Sequence, residues 1–418
     1  MTASASIVLK DVKLPDSRVV DVSITKGIVK HIGAGLLSDQ IIDCSNYLVI
    51  PAAIDMHVHM RGGFQSSKED WNSGSKSALA GGVTLVVDQP NTIPPIATPS
   101  IFIERVKDAQ ANSLCHFSIN SGVAEHTPFE SMWKTGALAF GEIFFAPSSY
   151  GDAIGVALLK KVFSRISTLG ALVTIHAEKI SPIPDYNLIS HNEARSVHGE
   201  ALAVSEVNRC NQKNCRVHFC HLSSADSIDL AMGSVEVAPH HLFLSCENFD
   251  PKNTFGKVNP PLRTERERIA LWKRWSQIDV IASDHAPHTI NDKQIPFCDA
   301  PSGIPGVETM VPMLVNKVLE KKISIRSVIE KTSTNPAVLL GIQSAGFNVG
   351  DRADFAFYHK SPVRISADIL HSKCGWTPYE DQMAVFPEFV LMDGVTVYQD
   401  GDFIKGLPRW FPGSGYSQ

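Results

Sequence analysis

The chain alternates apolar runs of strand length with amphipathic stretches of helical length, and this alternation constrains the fold more than any other feature. Eight apolar, β-rich runs recur: Leu48 to Met60, Gly82 to Asp88, His116 to Val123, Leu138 to Phe145, Leu172 to Ala177, Arg216 to Leu222, Val235 to Leu244 and Val280 to Asp284. Between most of them lie the helical stretches Lys68 to Ala80, Pro99 to Ala111, Asp152 to Leu169, Glu193 to Cys210, Ala225 to Met232 and Thr264 to Trp275. Strands that alternate with helices pair in parallel, and eight of them can close into a barrel. The pattern predicts an α/β fold with a (β/α)₈ TIM barrel over residues 51–346.

Polar residues that could bind a metal or take part in catalysis lie at the ends of these apolar runs or just beyond them. They are His57, His59, Asn91, Glu142, His176, His221, Asn259, Asp284 and His288. In a (β/α)₈ barrel the active site forms at the carboxyl ends of the strands, from several strands at once. A doubly wound sheet would instead gather such residues mainly near one switch point. The placement therefore favours a barrel with a site at its rim.

Both ends of the chain differ from the middle. Residues 1–50 contain short alternating runs around the turn Lys26-Gly27, and residues 347–418 contain another set around Asp393-Gly394. Short strands separated by turn residues indicate β structure. We predict one small β-sandwich formed by both termini, beside the barrel.

Composition excludes some classes of function. The net charge is -5 over 418 residues and no long basic cluster occurs, which argues against nucleic-acid binding. No apolar run approaches the roughly 20 residues of a membrane span, and residues 1–10 lack the pattern of a signal peptide. We therefore expect a cytoplasmic protein. The eight cysteines are too sparse for a disulfide scaffold and are interpreted as reduced thiols.

The His57-Val58-His59 sequence ends the first apolar run. Alternate residues of a strand share a face, so His57 and His59 point the same way and can bind one metal ion. An isolated His-X-His is more simply a pair of imidazoles bonded to backbone. Because a carboxylate and further histidines end other strands, we favour a metal site, and imidazole with carboxylate suits zinc or a similar divalent ion.

Other histidines receive different interpretations. His176 and His221 end the fifth and sixth runs and could bind a second ion, although a polar strand end is the alternative for each. His218 lies three residues before His221, faces the other way and is interpreted as structural. Adjacent residues cannot both face a barrel lumen, so neither His240 nor His241 is assigned as a ligand.

Asp284 is the candidate general base. A carboxylate next to activated water can take its proton and pass it to a leaving nitrogen. The alternative role is a helix N-cap. Ala286-Pro287 follows directly, which favours a shaped loop over a helix start.

Five motifs in order along nearly the whole chain resemble the cyclic amidohydrolases, and among them the dihydroorotase family. They are His57-Val58-His59-Met60-Arg61, Gln89-Pro90-Asn91-Thr92, Val258-Asn259-Pro260-Pro261-Leu262-Arg263, Ser283-Asp284-His285-Ala286-Pro287-His288 and Gly303-Ile304-Pro305-Gly306-Val307-Glu308-Thr309. The resemblance implies one or two divalent ions, with two zinc ions favoured, hydroxide attack on a ring carbonyl, and a small-molecule substrate. One ion is expected on His57, His59 and Asp284, and the other on His176 and His221.

The resemblance also implies substrate contacts. Arg61, Asn91 and His288 would hold the carboxylate of the substrate, and the guanidinium of Arg61 offers a planar pair of donors that matches it. Asn259 and the backbone near Pro305 and Gly306 would meet the amide edges of the ring. For Arg61 the alternative is a surface ion pair.

The chain departs from the family pattern at one position. Relatives commonly carry a carbamylated lysine that bridges both ions at the end of the fourth strand, whereas this chain has Glu142 there. A glutamate is already a carboxylate and could bridge directly, but it is shorter. An ordinary strand-end carboxylate is the alternative. The segment Gly62 to Gln65 also departs from the common pattern.

Two other hypotheses stay open at this point. Allantoinases and hydantoinases resemble this chain in fold and metal ligands, but their substrates lack the ring carboxylate that Arg61 would bind. An inactive barrel retained as a scaffold subunit is the hypothesis from another class. A homodimer is compatible with the sequence, which does not reveal the oligomeric state.

Overall fold

The computed structural model describes residues 6–145 and 153–417. Its strands are β1 (Ile7–Lys13), β2 (Val19–Thr25), β3 (Ile28–Gly33), β4 (Gln40–Asp43), β5 (Tyr47–Pro51), β6 (Ala53–Val58), β7 (Val83–Asp88), β8 (His116–Ile119), β9 (Phe140–Phe144), β10 (Leu172–His176), β11 (Arg216–Phe219), β12 (Ser234–Val237), β13 (Val280–Ile281), β14 (Phe355–His359), β15 (Val363–Arg364), β16 (Met383–Ala384), β17 (Pro387–Met392), β18 (Val395–Gln399) and β19 (Asp402–Phe403).

The α-helices alternate with the strands of the middle segment. They are α1 (Trp71–Ala80), α2 (Pro99–Asn112), α3 (Phe129–Thr135), α4 (Val156–Leu169), α5 (Leu188–Ala194), α6 (Val197–Cys210), α7 (Ala225–Leu230), α8 (Pro239–Phe243), α9 (Glu265–Trp272), α10 (Ile290–Lys293), α11 (Val307–Leu319), α12 (Ile325–Ile329) and α13 (Asn335–Leu340). A π-helical turn, Glu330–Thr334, joins α12 to α13. None of the described helices is both long and apolar enough to cross a membrane.

Strands β6 to β13 form a closed barrel. Parallel pairing runs from β6 through β7 to β8, and from β9 through β10, β11 and β12 to β13. Parallel bridges close the two gaps, one between Ser121 and Phe140 and one between Val58 and His285. The predicted (β/α)₈ barrel is therefore confirmed. Most residues of these strands are buried on both faces, because helices cover the outside of the barrel and the strands' own side chains fill the inside.

Both termini build the β-sandwich. One sheet has the order β3-β2-β1-β4, and the other has the order β19-β18-β17-β14-β5. Their facing residues share a core that includes Leu9, Val22 and Phe357. The turn residues Lys26 and Asp393 both have positive φ, 53° and 51°, and each precedes a glycine as a tight hairpin turn requires. The division of the chain near residues 50 and 347 remains a prediction.

Several predicted elements differ from the structure. The first run breaks after Pro51, so its first half joins the sandwich and its second half joins the barrel. The run from Val235 ends at Val237, because Pro239 favours the first turn of a helix and starts α8. The run from Val280 ends as a strand at Ile281, which leaves Asp284 on a loop.

Some helices also begin at residues other than those predicted. The first predicted helix begins at Trp71 because the carboxylate of Asp70 accepts the backbone N–H of Ser73 as an N-cap. The helix predicted from Asp152 begins at Val156, and Asp152 lies outside the described residues. Helix α11 was not predicted; all of its residues from Val307 to Asn316 are buried, so it lacks the solvent-facing polar side of a surface helix.

Candidate metal centre

Six side chains converge at the carboxyl ends of the barrel strands and form what we call the rim cluster. Its members are His57, His59, Glu142, His176, His221 and Asp284. Ligand atoms of His57, His59 and Asp284 all lie within 4.8 Å of one another, and so do those of His57, Glu142 and His221. All six residues are buried. The residues that the sequence assigned to metal binding are thus brought together.

His57 lies between the two carboxylates. Its Nε2 is 3.5 Å from Oε2 of Glu142 and 3.6 Å from Oδ1 of Asp284, and it has no hydrogen-bond partner in the described residues. Its Nδ1 lies 2.9 Å from a carboxylate oxygen of Glu236. Burial alone would lower the pKa of His57, but the charges of Glu236 and Glu142 raise it well above the usual value.

His59 is oriented in the same way by a different partner. Its Nδ1 lies 2.7 Å from Oδ1 of Asn91, which can only accept, so this nitrogen carries the ring proton. Its Nε2 lies 3.3 Å from Oδ1 of Asp284. Burial lowers the pKa of His59, which keeps the imidazole neutral with a lone pair on Nε2.

Glu142 connects the two groups of histidines. Its Oε1 lies 3.0 Å from Nδ1 of His176 and 2.7 Å from Nε2 of His221, while Oε2 faces His57. Burial would raise the pKa of this carboxyl group, but the surrounding histidines hold it well below its usual value. The glutamate is therefore an anion among three imidazoles.

His176 is held from its other side by a carboxylate. Its Nε2 lies 2.5 Å from Glu178, and Glu178 forms an ion pair with Arg195 at 2.6 Å. Burial would lower the pKa of His176, but the charge of Glu178 raises it to about 9. Nδ1 is thus the atom that His176 presents to the cluster.

Three residues of the site have strained backbones. Arg61, His221 and Asp284 have φ values of 49°, 33° and 47°, in the left-handed region that residues with a β-carbon rarely adopt. Such conformations concentrate at functional sites, where the surrounding structure holds them in place. Asp55 contributes to this, because its carboxylate accepts the N–H groups of His57 and Ser283 and ties the two ligand-bearing segments together.

The rim cluster fits a divalent metal. A metal-binding histidine usually donates a hydrogen bond from its other ring N–H to a carboxylate or carbonyl oxygen. His57, His59 and His176 each have such a partner. The inward atoms are imidazole nitrogens and carboxylate oxygens, which suit zinc and similar ions. The two buried carboxylates are faced by imidazoles, which lose their extra protons when they bind a metal, and the cation would then supply the positive charge that the carboxylates need.

Comparison with known proteins agrees with this geometry. Residues 48–379 match the Amidohydrolase family. The chain is 38% identical over 415 residues to the dihydroorotase of Halobacterium salinarum, covering 96% of this chain and 98% of that protein. It is 37% identical over 434 residues to the dihydroorotase of Methanosarcina acetivorans, covering 95% and 93% of the two chains. The chain belongs to the dihydroorotase family of amidohydrolases.

Solved structures give the same fold. An L-hydantoinase (dihydropyrimidinase) from Arthrobacter aurescens superposes with a TM-score of 0.92 at 24% identity, covering 97% of this chain and 99% of that one. A dihydropyrimidinase from Brevibacillus agri gives a TM-score of 0.87 at 23% identity over 99% and 100% of the chains. At this identity the likeness concerns the fold alone. The predicted resemblance to the dihydroorotase family is confirmed by the relatives of higher identity.

A pocket opens beside the rim cluster, and we call it the rim pocket. Besides members of the cluster it is lined by Arg61, Asn91, Phe144, Val258, Asn259, Ala286, Ser302 and Gly303. His288 lies behind Arg61, with its Nε2 3.4 Å from a guanidinium nitrogen. Four residues predicted to bind substrate in this family are therefore at the pocket or directly behind its wall.

Two predicted substrate residues lie elsewhere. Pro305 and Gly306 line a separate small cavity, and the N–H of Gly306 donates to Nδ1 of His285. Ser302 and Gly303 occupy the pocket wall instead. The residues of this segment that line the rim pocket are therefore three positions earlier than the predicted pair.

Sequence reasoning missed the carboxylates behind the histidines. Glu236 accepts from His57, from the backbone N–H of His221 and from the ring of His218, which explains why His218 is not at the rim. A carboxylate inside the apolar run Val235 to Val237 was the available signal. Cys220 lies beside Glu236, and burial raises the pKa of its thiol to about 12.

The two histidines that were given no ligand role lie in α8. His240 and His241 are buried there, and no member of the rim cluster hydrogen-bonds to them among the described residues. Burial lowers the pKa of His240 to about 4, so its ring is neutral.

Proposed function

We propose that this chain is a metal-dependent dihydroorotase that interconverts N-carbamoyl-L-aspartate and L-dihydroorotate in de novo pyrimidine biosynthesis. The observation that carries the proposal is the rim pocket, in which a buried cluster of four histidines and two carboxylates lies beside the guanidinium of Arg61. Similarity to archaeal dihydroorotases over nearly the full chain supports the substrate.

The proposed ligands divide into two groups. His57, His59 and Asp284 would hold one zinc ion, His176 and His221 would hold the other, and Glu142 would bridge them. The chemistry that bound zinc supplies is polarisation of the ring carbonyl and formation of hydroxide from water near neutral pH. Because the glutamate side chain is shorter than a carbamylated lysine, the quantity to measure is how fully zinc occupies the proposed site at His176 and His221.

Asp284 is proposed to move the proton. It is a buried anion, because nearby histidines lower the pKa of its carboxyl group against the effect of burial, which would raise it. In the hydrolytic direction it takes a proton from the attacking water and delivers it to the amide nitrogen that leaves. In the synthetic direction the same carboxylate runs these transfers in reverse.

The substrate carboxylate is proposed to bind at the Arg61 side of the pocket. Arg61 can form two parallel hydrogen bonds to a carboxylate, and Asn91 and His288 provide further polar groups there. Asn259, Ser302 and Gly303 line the same pocket and would meet the amide edges of the ring.

The deciding experiment compares substrates. We expect hydrolysis of dihydroorotate, with little or no hydrolysis of allantoin and hydantoin. Arg61→Met should raise KM for dihydroorotate about 10- to 100-fold, because a charge-assisted hydrogen bond is lost. Arg326→Met, at an exposed arginine that pairs only with Glu330 in the described residues, is the matched control.

Two outcomes would favour the other hypotheses. Faster turnover of hydantoin or allantoin, with dihydroorotate hydrolysis unaffected by Arg61→Met, would indicate a hydantoinase-like or allantoinase-like enzyme. No bound metal and no activity after adding zinc would indicate an inactive scaffold. A cytoplasmic location and a homodimer remain predictions, which fractionation and light scattering of the purified protein can test.

A further inference from the structure

Lys68 contacts His288, one of the residues proposed to bind the substrate carboxylate. It lies in the loop between β6 and α1, and its Nζ is 3.1 Å from Nδ1 of His288. A second contact, 3.6 Å long, joins Nζ to the carboxylate of Asp292. The side chain is 22% exposed, so water only partly screens its charge. The family motifs assigned no role to this residue.

The contact with Lys68 determines which nitrogen of His288 carries the proton. An ammonium group has only donors, so Nδ1 of His288 must be the acceptor. The ring proton is then on Nε2, and Nε2 lies 3.1 Å from the carbonyl oxygen of Ser302, which can only accept. The Lys68 and Ser302 contacts, both 3.1 Å long, require this tautomer. They outweigh the longer 3.4 Å contact between Nε2 and the Arg61 guanidinium, which by itself would require a lone pair on Nε2. Burial, followed by the charges of Arg61 and Lys68, lowers the pKa of His288 well below its usual value, in agreement with a neutral ring.

The Nε2–H group of His288 lies behind the wall of the rim pocket, in contact with the lining residues Ser302 and Arg61. It is 3.4 Å from a nitrogen of Arg61, and two groups that only donate are a suitable pair for a single anion. Ser302, its present acceptor, also lines the pocket, and its hydroxyl donates to Oδ1 of Asn259. A carboxylate entering beside Arg61 can therefore replace the carbonyl of Ser302 as the acceptor.

We propose that Lys68 is a positioning residue that selects substrates bearing a carboxylate. It holds His288 as an Nε2–H donor and places a second positive charge behind Arg61. A neutral cyclic amide gains nothing from either effect, so Lys68 contributes to discrimination between rings with and without an acid group. This inference rests on the proposed function, because it names a residue that shapes the same pocket.

The test measures ligand binding separately from turnover. Orotate, the unsaturated analogue with the same ring carboxylate, is titrated calorimetrically into the zinc-loaded wild type and the Lys68→Met variant. We expect about a tenfold weaker affinity in the variant, as for an indirectly lost charge interaction. KM for dihydroorotate should rise by a similar factor, with kcat within about threefold of wild type and zinc content unchanged.

Two further variants make the result specific. Lys373→Met removes a lysine that pairs with Asp70 and donates to the carbonyl oxygen of Ser66 in the same loop, but that makes no contact with His288 among the described residues; it should bind orotate like the wild type. Lys68→Arg keeps a cation with only donors, so it should recover most of the affinity. If Lys68→Met does not fold, the comparison is made between Lys68→Gln and Lys68→Arg.

The outcomes separate this inference from the proposed function. Folded, zinc-loaded Lys68→Met that binds orotate within twofold of wild type would overturn the role of Lys68 alone. Loss of kcat with unchanged orotate affinity and KM would also overturn it, since that pattern indicates disturbed chemistry. A wild type that neither binds orotate nor hydrolyses dihydroorotate would remove the proposed function itself.

Discussion

Two clusters of histidine and carboxylate side chains in this protein differ in how their charge is balanced. The rim cluster lies at the carboxyl ends of the barrel strands. The second, which we call the junction cluster, lies where β8 of the barrel meets the sandwich and contains His116, Asp354, Asp393, Arg352 and Arg409. Ligand atoms of His116, Asp354 and Asp393 also lie within 4.8 Å of one another.

In the junction cluster the chain provides its own cations. Arg352 lies 3.0 Å from the carboxylate of Asp354, although without the alignment of a hydrogen bond, and Arg409 lies 2.5 Å from that of Asp393. His116 accepts the backbone N–H of Arg409 on Nδ1 and faces Asp393 with Nε2. Each carboxylate is therefore paired with a fixed positive charge.

In the rim cluster the fixed cations are missing. Within the part of the chain that the structure describes, no lysine or arginine forms an ion pair with Glu142 or Asp284, and their partners are imidazoles. A buried carboxylate is costly without a counter-charge. The comparison teaches that a cluster of histidines and carboxylates indicates a metal site when the carboxylates face only imidazoles, whose protons a metal can displace. It indicates a structural ion-pair network when arginines supply a permanent positive charge.

The largest effect is expected at the proton carrier of the rim. Asp284→Asn keeps the side chain's shape but cannot accept a proton, so kcat should fall by about 10³-fold or more. Metal should be retained because the histidines and Glu142 remain. Steady-state kinetics on the zinc-loaded variant, with metal analysis, provide the measurement. Near-normal turnover would refute the role assigned to Asp284.

The next effect tests whether Glu142 supplies the negative charge between the two histidine groups. Glu142→Gln should reduce bound zinc from two equivalents toward one and lower kcat/KM by about 10²-fold, the size expected for a lost ligand or its support. Elemental analysis after dialysis checks the stoichiometry. An unchanged zinc content would mean that Glu142 is an ordinary strand-end carboxylate.

The junction cluster should respond in stability rather than in metal content. Arg352→Met leaves Asp354 buried beside no arginine and should lower the free energy of unfolding by about 3 kcal/mol or more. Zinc content and kcat of the folded variant should match the wild type. Urea unfolding and metal analysis decide the matter, and loss of zinc from a folded Arg352→Met protein would contradict the distinction between the clusters.

The smallest effect is expected at the exposed side of the junction. Arg409 is 47% exposed, so water screens its pair with Asp393, and Arg409→Met should cost less than about 1 kcal/mol. Thermal unfolding of the two arginine variants side by side is the measurement. Equal destabilisation would show that burial does not govern these two ion pairs.

The sequence predicted the residues of the rim cluster better than the side chains that hold those residues in place. His57, His59, Glu142, His176 and His221 could be found because each follows an apolar run, and parallel strands of a barrel end at one rim. Glu178 and Glu236, the carboxylates that hold the outer ring nitrogens of His176 and His57, were not found. Their role depends on how each histidine ring is oriented and, for Glu236, on contacts with residues of other segments. Lys68 was missed for the same reason, because its partner is His288, 220 residues away in sequence.

The sequence by itself determined the barrel, the terminal sandwich and the rim on which the ligands stand, because the periodicity of apolar residues and the order of segments encode them locally. Only the tertiary structure decided which ring nitrogens face the cluster, that Ser302 and Gly303 rather than Pro305 and Gly306 line the pocket, and which carboxylates are balanced by arginine. These outcomes depend on distances between residues far apart in the chain. Spacing along a sequence does not specify such distances, whereas packing around a closed barrel does.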